Sequence, residues 1–211
     1  MGQLLDLAQQ DEASSLEAYI GLLRRFTITS SKGIEDEEEK GWVYRRLSSV
    51  GKPILPAIRQ FCLQHENVAW ALRILEDIAN EDEEWSLLDE LLAELPPDVF
   101  QRTSAKKIQI LTHIQEIDNP KIVDIFVAYL NDVDESVRYF SVEALIDIAD
   151  EKSLAPMIER LLHDQEDSLR LRTRILEGLA TLKWDISEFK SRLSPRLGDD
   201  HVITGNVITR R

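Results

Sequence analysis

The sequence predicts an all-α protein made of repeated helix pairs that stack into a right-handed α-α superhelix. Leucines recur at intervals of 36, 34 and 34 residues, and an aliphatic residue follows each of them three positions later. These eight positions, which we expect to be buried, are Leu75, Leu111, Leu145, Leu179, Ile78, Ile114, Ile148 and Leu182. A period in the mid-thirties is typical of helical-hairpin arrays, in which no unit can bury its apolar face alone. Apolar residues make up 43% of the chain but aromatic residues only 7%, which is typical of helical proteins.

The first two helix pairs are the most diverged. We expect the first pair to join a helix over residues 15–26 to one over 36–50, with a loop at 27–33 between them. The second pair begins near Pro53, since proline suits the first turn of a helix. Its second helix ends in Leu75-Glu-Asp-Ile-Ala-Asn80, which matches Leu145-Ile-Asp-Ile-Ala-Asp150 two periods later.

The remaining pairs are more regular. The third joins residues 85–95 to 104–117 through Pro96-Pro97. The fourth begins at Asn119-Pro120, and the fifth ends with a helix over residues 169–182. Apolar residues recur at helical spacing in each of these segments. We therefore expect about five helix pairs in the chain.

The C-terminus differs from the repeats. A short helix is expected near residues 186–193, and the tripeptide Val-Ile-Thr then occurs twice, on either side of Gly205-Asn206. Two β-branched runs across a Gly-Asn pair predict a β-hairpin, which we expect to cap the last helix. The predicted organisation is a single repeat domain over residues 1–194, followed by a C-terminal tail or capping hairpin over 195–211.

The turn and helix of the fourth pair resemble the HEAT repeat. The similarity lies in Asn131-Asp-Val-Asp-Glu-Ser-Val-Arg138, followed by Glu143-Ala-Leu145, and in the earlier Leu55-Pro-Ala-Ile58. In HEAT repeats an Asp of the turn and an Arg six residues later commonly form a ladder between neighbouring units. The resemblance implies this role for Asp132 with Arg138 and for Asp164 with Arg170, or for Arg172 in place of Arg170.

The resemblance also implies a function. HEAT arrays mostly act as scaffolds that present a concave surface to other proteins, so we expect a non-enzymatic chain that binds a protein partner. The alternative is an enzyme or enzyme accessory of the lyase-type HEAT-like proteins, such as the phycobilin lyases, which handle a chromophore or small molecule. The deoxyhypusine hydroxylases have a similar fold and hold two irons through several His-Glu dipeptides, but this chain has only His65-Glu66. We predict no catalytic, cofactor-binding or metal-binding residues.

The charge of the chain restricts its partners. Asp and Glu number 39 against 25 Lys and Arg, which gives a net charge of −14. Such a surface repels phosphate backbones and anionic membranes, so we expect neither as a partner. The N-terminus has no basic leader or long apolar stretch, and Cys62 lies in an apolar helical pattern as a structural thiol. A cytoplasmic location is expected.

The repeat period also predicts a partner-binding stripe. Positions two residues before and two after each repeated leucine share one side of the second helices, and two aromatic residues flank them one turn earlier. With Arg45 from the first pair, the predicted binding residues are Arg45, Trp70, Arg73, Asp77, Gln109, His113, Tyr139, Glu143, Asp147 and Glu177. The stripe is basic at its first unit and acidic at its fourth, so an elongated partner would bind in one orientation. The alternative for each residue is partial packing against the neighbouring helix.

Overall fold

The computed structural model describes residues 12–28, 33–100 and 104–211, and the chain divides into two compact units. The first unit comprises residues 1–95 and 105–114, and the second comprises residues 96–104 and 115–211. The residues on which we judged the absence of a leader lie mostly outside the described part, as do residues 29–32 of the predicted first loop.

The first unit consists of helices arranged in pairs. Its helices are α1 (Glu12–Leu23), α2 (Gly33–Val50), α3 (Leu55–Gln64), α4 (Ala69–Ile78), α5 (Glu81–Glu94) and α6 (Ala105–Gln115), the last residue of which belongs to the second unit. A 3₁₀ turn, Arg24–Thr27, extends α1, and another, Lys52–Ile54, leads into α3. The all-α class and the order of the predicted pairs are confirmed.

Two layers form within the first unit. The first helices of successive pairs pack on one another, α1 on α3 and α3 on α5, while α2 packs on α4 in the second layer. The apolar side chains between the layers are fully buried, among them Phe26, Phe61 and Leu72. An Asn80–Glu83 capping box begins α5, because each side chain bonds the backbone N–H of the other residue.

The second unit repeats this arrangement and ends in the hairpin. Its elements are α7 (Lys121–Tyr129), α8 (Glu135–Ile148), α9 (Leu154–Leu162), α10 (Leu169–Leu182), α11 (Lys190–Leu193), β1 (His201–Thr204) and β2 (Val207–Arg210). Short 3₁₀ turns, Glu151–Ser153, Ser187–Phe189 and Ser194–Arg196, precede α9 and flank α11. Helix α8 packs on α10 so closely that Gly178 leaves no room for a Cβ against Ile146.

Five of the eight repeated aliphatic positions are buried, and the other three are half-buried. All four repeated leucines are buried, and so is Ile114. Ile78, Ile148 and Leu182 are only half-buried, contrary to the prediction. Each of these three is the last residue of its helix, whereas Ile114 lies inside α6. The end of a helix presents its final side chain to the edge of the layer, which explains the difference.

The C-terminal hairpin is confirmed. Strand β1 pairs antiparallel with β2, and the two-residue turn has Gly205 at a φ of 61°, the conformation that glycine adopts without strain. The hairpin packs on α10 with Ile208 fully buried. The N–H of Ile186 donates to the carbonyl oxygen of Asn206 at 2.8 Å, which ties the hairpin to the segment that follows α10.

A ladder links the turns of the fourth and fifth pairs. Arg138 donates through Nε and Nη2 to both carboxylate oxygens of Glu166, at 2.9 and 3.1 Å. Its Nη1 donates to the carbonyl oxygen of Asp132 at 2.9 Å. Arg160 also pairs with the fully buried Glu166 at 2.9 Å. Arg138 is therefore part of the ladder, as predicted, but the carboxylate that it binds belongs to the following turn.

The predicted second rung, Asp164 with Arg170, is wrong. Asp164 is exposed and pairs with Arg196, while Arg172 donates to the carbonyl oxygen of Glu166 as Arg138 does to that of Asp132. The reason lies in the spacing: the turn before α10 contains one more residue than the turn before α8, and Arg172 lies six residues after Glu166 as Arg138 lies six residues after Asp132. Arg172 thus takes the role that we had offered as the alternative.

Candidate partner-binding face

The ten predicted binding residues all lie on the second helices of their pairs. In the first unit Arg45 lies on α2, Trp70, Arg73 and Asp77 on α4, and Gln109 and His113 on α6. In the second unit Tyr139, Glu143 and Asp147 lie on α8 and Glu177 on α10. The two sets are described separately, because each belongs to its own unit.

Arg73 is held against aromatic rings. Its guanidinium carbon lies 5.1 Å from the ring centroid of Tyr44 and 5.2 Å from that of Trp70. Trp70 in turn stacks on the buried Phe26, with centroids 5.3 Å apart and planes 8° apart. Cation–π attraction and this stack hold the guanidinium in place while Arg73 stays exposed.

Asp77 accepts hydrogen bonds from side chains of α2 and forms no ion pair with Arg73. Ser48 donates to its Oδ2 at 2.8 Å, and the Tyr44 hydroxyl is its second donor. The pKa of Tyr44 is raised because the phenol donates to Asp77, and burial adds to the effect by disfavouring the phenolate. These bonds fix the Tyr44 ring under Arg73, so Asp77 has a positioning role within the face.

Helix α2 adds two exposed arginines. Arg45 follows Tyr44 and so lies about 100° further round the helix, on its outer side. Arg46 lies with its guanidinium carbon 5.9 Å from the ring centroid of Trp42, which is itself 38% exposed. In the described part of the chain, neither arginine forms an ion pair.

Gln109 and His113 join neighbouring pairs and offer little surface to a partner. Gln109 Oε1 accepts hydrogen bonds from the backbone N–H groups of Val68 and Ala69, at 2.7 and 2.8 Å, and so caps the start of α4. His113 is buried, and its Nε2 lies 2.7 Å from Oε1 of Glu84. The predicted packing alternative describes these two residues.

The predicted residues of the second unit are largely engaged by arginines. Glu143 pairs with Arg174, and Glu177 pairs with Arg210 at 2.5 Å. Tyr139 lies under another arginine, Arg170, whose guanidinium carbon is 4.0 Å from the ring centroid. Asp147 is exposed and, among the described residues, has no ion-pair partner.

The sequence analysis missed Tyr44, which supports Arg73 from the preceding pair. This contact is hard to predict because Tyr44 and Arg73 are 29 positions apart, whereas the repeat interval is 34 to 36 residues. A pattern was nevertheless present, since Trp42 and Tyr44 come just before Arg45 and Arg46 along α2. Aromatic residues beside arginines are frequent anchors in protein interfaces.

No site for chemistry appears in the residues that the structure describes. They contain no group of three or more His, Cys, Asp or Glu side chains that could hold a metal ion. Cys62 is fully buried, as predicted, and burial raises the pKa of its thiol to about 12. None of the described helices is both long enough and apolar enough to cross a membrane.

The first unit also contains a cavity of about 770 Å³ on its other layer, between α1, α3 and α5. Leucines such as Leu55 and Leu63 line it, together with exposed polar side chains such as Gln64. The acidic residue Glu83 on its rim pairs with Lys52 at 2.8 Å. The described lining therefore offers a shallow apolar surface and no reactive constellation.

Comparison with known proteins gives one match. The family model of the HEAT repeats matches residues 88–180, which run from α5 to α10. No curated protein and no solved structure matches the chain. The match is to the repeat class and makes no link to the lyase-type proteins.

Proposed function

We propose that this chain, which is a HEAT-repeat protein, is a non-enzymatic scaffold that binds a protein partner through the second helices of its repeats. HEAT repeats typically serve as protein-interaction scaffolds, and the family is generally non-enzymatic. The proposal goes further, because it assigns the binding role to named side chains.

The observation that carries the proposal is the exposed Arg73, held over Tyr44 and Trp70 without an ion-pair partner in the described residues. Cation–π contacts at exposed sites contribute only about 0.5–1 kcal/mol, so folding gains little from placing an arginine there. A preorganised side chain of this kind loses less conformational freedom when a partner binds. The arrangement is therefore better suited to recognition than to stability.

The predicted residues of the second unit offer less to a partner. Asp147 is its exposed, uncompensated charge, whereas Glu143 and Glu177 already neutralise arginines of their own unit. We therefore assign the main binding role to Arg45, Trp70 and Arg73 of the first unit. A cytoplasmic location remains a prediction from the sequence.

Charge reversal on one layer tests the proposal. The variant Arg45→Glu with Arg73→Glu is expected to fold normally, because both side chains are exposed, and to lose the partner protein. The matched control, Arg59→Glu with Arg192→Glu, changes the net charge equally and removes arginines that pair with Glu90 and Glu159 on the first helices. Partners captured by the purified chain from lysate are compared by mass spectrometry, after circular dichroism confirms helicity.

Only one pattern of results supports this assignment. The control must retain the proteins that the wild-type chain captures, and the Arg45 and Arg73 variant must lose them. Loss of the same proteins by the control alone would place binding on the first helices, and the proposal would be wrong.

A further inference from the structure

We infer that Arg73 binds a carboxylate of the partner, so that this face recognises an acidic segment of a protein, rich in Asp or Glu. The inference rests on the proposed function and names the chemistry of the same site. It follows from comparing two arginines that lie on aromatic rings in the two units.

The second unit contains the complete form of such a site. Arg170 lies over the ring of Tyr139, and the carboxylate of Glu135 accepts hydrogen bonds from its Nε and Nη2 at 3.2 and 2.9 Å. Glu135 is one helical turn before Tyr139 on α8. A stacked guanidinium thus keeps its edge free for a bidentate carboxylate, which is the geometry that arginine favours.

The first unit contains the same cation on the same kind of ring but lacks the carboxylate. The residue one turn before Tyr44 is Lys40, a buried cation that pairs with Asp36 at 2.6 Å. Asp77 bonds to hydroxyl groups of α2 and forms no ion pair with Arg73. No described residue of the chain therefore occupies the position that Glu135 fills beside Arg170.

The charge distribution of the chain gives this difference between the two arginines a context. Most arginines in the described part of the chain form ion pairs with Asp or Glu. The chain carries 14 more acidic than basic charges, so carboxylates for pairing are abundant. Even so, Arg45, Arg46 and Arg73, all on α2 and α4, have no carboxylate partner among the described residues, a property that they share with Arg24, Arg172 and Arg211.

An acidic protein segment is the occupant that these charges fit. The three arginines attract anions locally, whereas the net charge of −14 opposes the approach of anions to the chain as a whole. Nucleic acid would need many phosphate contacts along its backbone, and the net charge of −14 opposes them. The arginine forks on α2 and α4 instead suit separate carboxylates of an extended peptide.

Peptide binding to the full chain tests the inference. The probe is a rhodamine-labelled peptide of alternating glutamate and serine, and the readout is its fluorescence anisotropy near physiological salt. We expect Arg73→Gln to weaken binding about 10- to 100-fold, the range for losing a charged hydrogen-bonded contact. Arg73→Lys should weaken it less, because lysine keeps the charge but lacks the planar fork.

The matched control is Arg59→Gln, an exposed arginine of the same unit on the other layer, which should bind the peptide as the wild type does. Equal weakening by Arg59→Gln, or equal affinity for the glutamine counterpart of the peptide, would overturn the inference. So would Arg73-dependent binding of a single-stranded oligonucleotide with affinity similar to that for the acidic peptide. If no acidic peptide binds while the second-helix variants still lose the lysate partner, only the carboxylate assignment fails and the proposed function stands.

Discussion

At the scale of single residues, two positions adopt a backbone conformation that their side chains disfavour. Ala149 and Lys183 both have a φ of 55°, and they follow the last residues of α8 and α10 at a spacing of 34 residues. Each donates its backbone N–H to the leucine carbonyl four residues earlier, which ends the helix. The left-handed conformation costs a non-glycine residue roughly 1–2 kcal/mol. The repeat thus imposes the same turn twice without using glycine.

Ala149→Gly should therefore stabilise the protein. We expect a gain of about 0.5–1 kcal/mol in the free energy of unfolding, because the relief of strain exceeds the entropy that glycine loses on folding. The measurement is urea denaturation followed by circular dichroism. The control is Ala128→Gly, at an exposed position inside α7, which should destabilise by about 0.5–1 kcal/mol. Equal destabilisation by both changes would contradict the prediction.

At the scale of elements, a buried carboxylate joins the turns of the fourth and fifth pairs. Glu166 is fully buried and accepts hydrogen bonds from Arg138 and from the backbone N–H of Ser168. Burial alone would raise its pKa, but the bonds from Arg138 and Ser168 outweigh burial and lower the pKa below its ordinary value of 4.5. The stability that Glu166 contributes is therefore complete above about pH 4.5 and is lost as the pH falls further, through the lowered pKa.

Glu166→Gln should remove this contribution and flatten the acid limb of the stability profile. We expect a loss of about 3–5 kcal/mol at neutral pH, because two buried arginines lose their counter-charge. Between about pH 5 and pH 3 the variant should lose less further stability than the wild type does. The control Glu159→Gln breaks an exposed pair with Arg192 and should cost at most about 1 kcal/mol. Parallel pH profiles for the wild type and Glu166→Gln would exclude this role.

The elements also show what sequence patterns can and cannot predict. The helix pairs were predictable because a buried leucine stripe recurs at a nearly fixed interval. The carboxylate partner of Arg138 was not predictable, because the expected partner was Asp132 of its own turn, whereas Glu166 lies 28 positions later in the following turn. Tyr44 under Arg73 was missed for a related reason: the contact joins different helices at 29 residues, so no single-helix periodicity reveals it.

At the scale of the whole molecule, the basic side chains bind acceptors within the chain in the segment where they are densest. The densest basic run lies on α10, and each of its arginines has an internal partner. Arg170 pairs with Glu135, Arg172 donates to the Glu166 carbonyl and Arg174 pairs with Glu143. Arg172 also lies on another side of the helix from Arg170 and Arg174, so the three cations do not form one strip. The run therefore adds little attraction for polyanions.

We accordingly predict that the protein does not bind duplex DNA measurably near physiological salt. With a net charge of −14, long-range repulsion opposes approach, and the exposed, unpaired arginines on α2 and α4 could neutralise about three phosphates at most. Each neutralised phosphate contributes a salt slope of only about 0.9, so even weak binding at low salt should vanish at higher ionic strength. A gel-shift titration over a range of salt concentrations checks this, with Arg73→Gln as the comparison variant. Micromolar affinity near physiological salt would show that the charge argument fails, and dependence of that binding on Arg73 would reassign the face from carboxylates to phosphates.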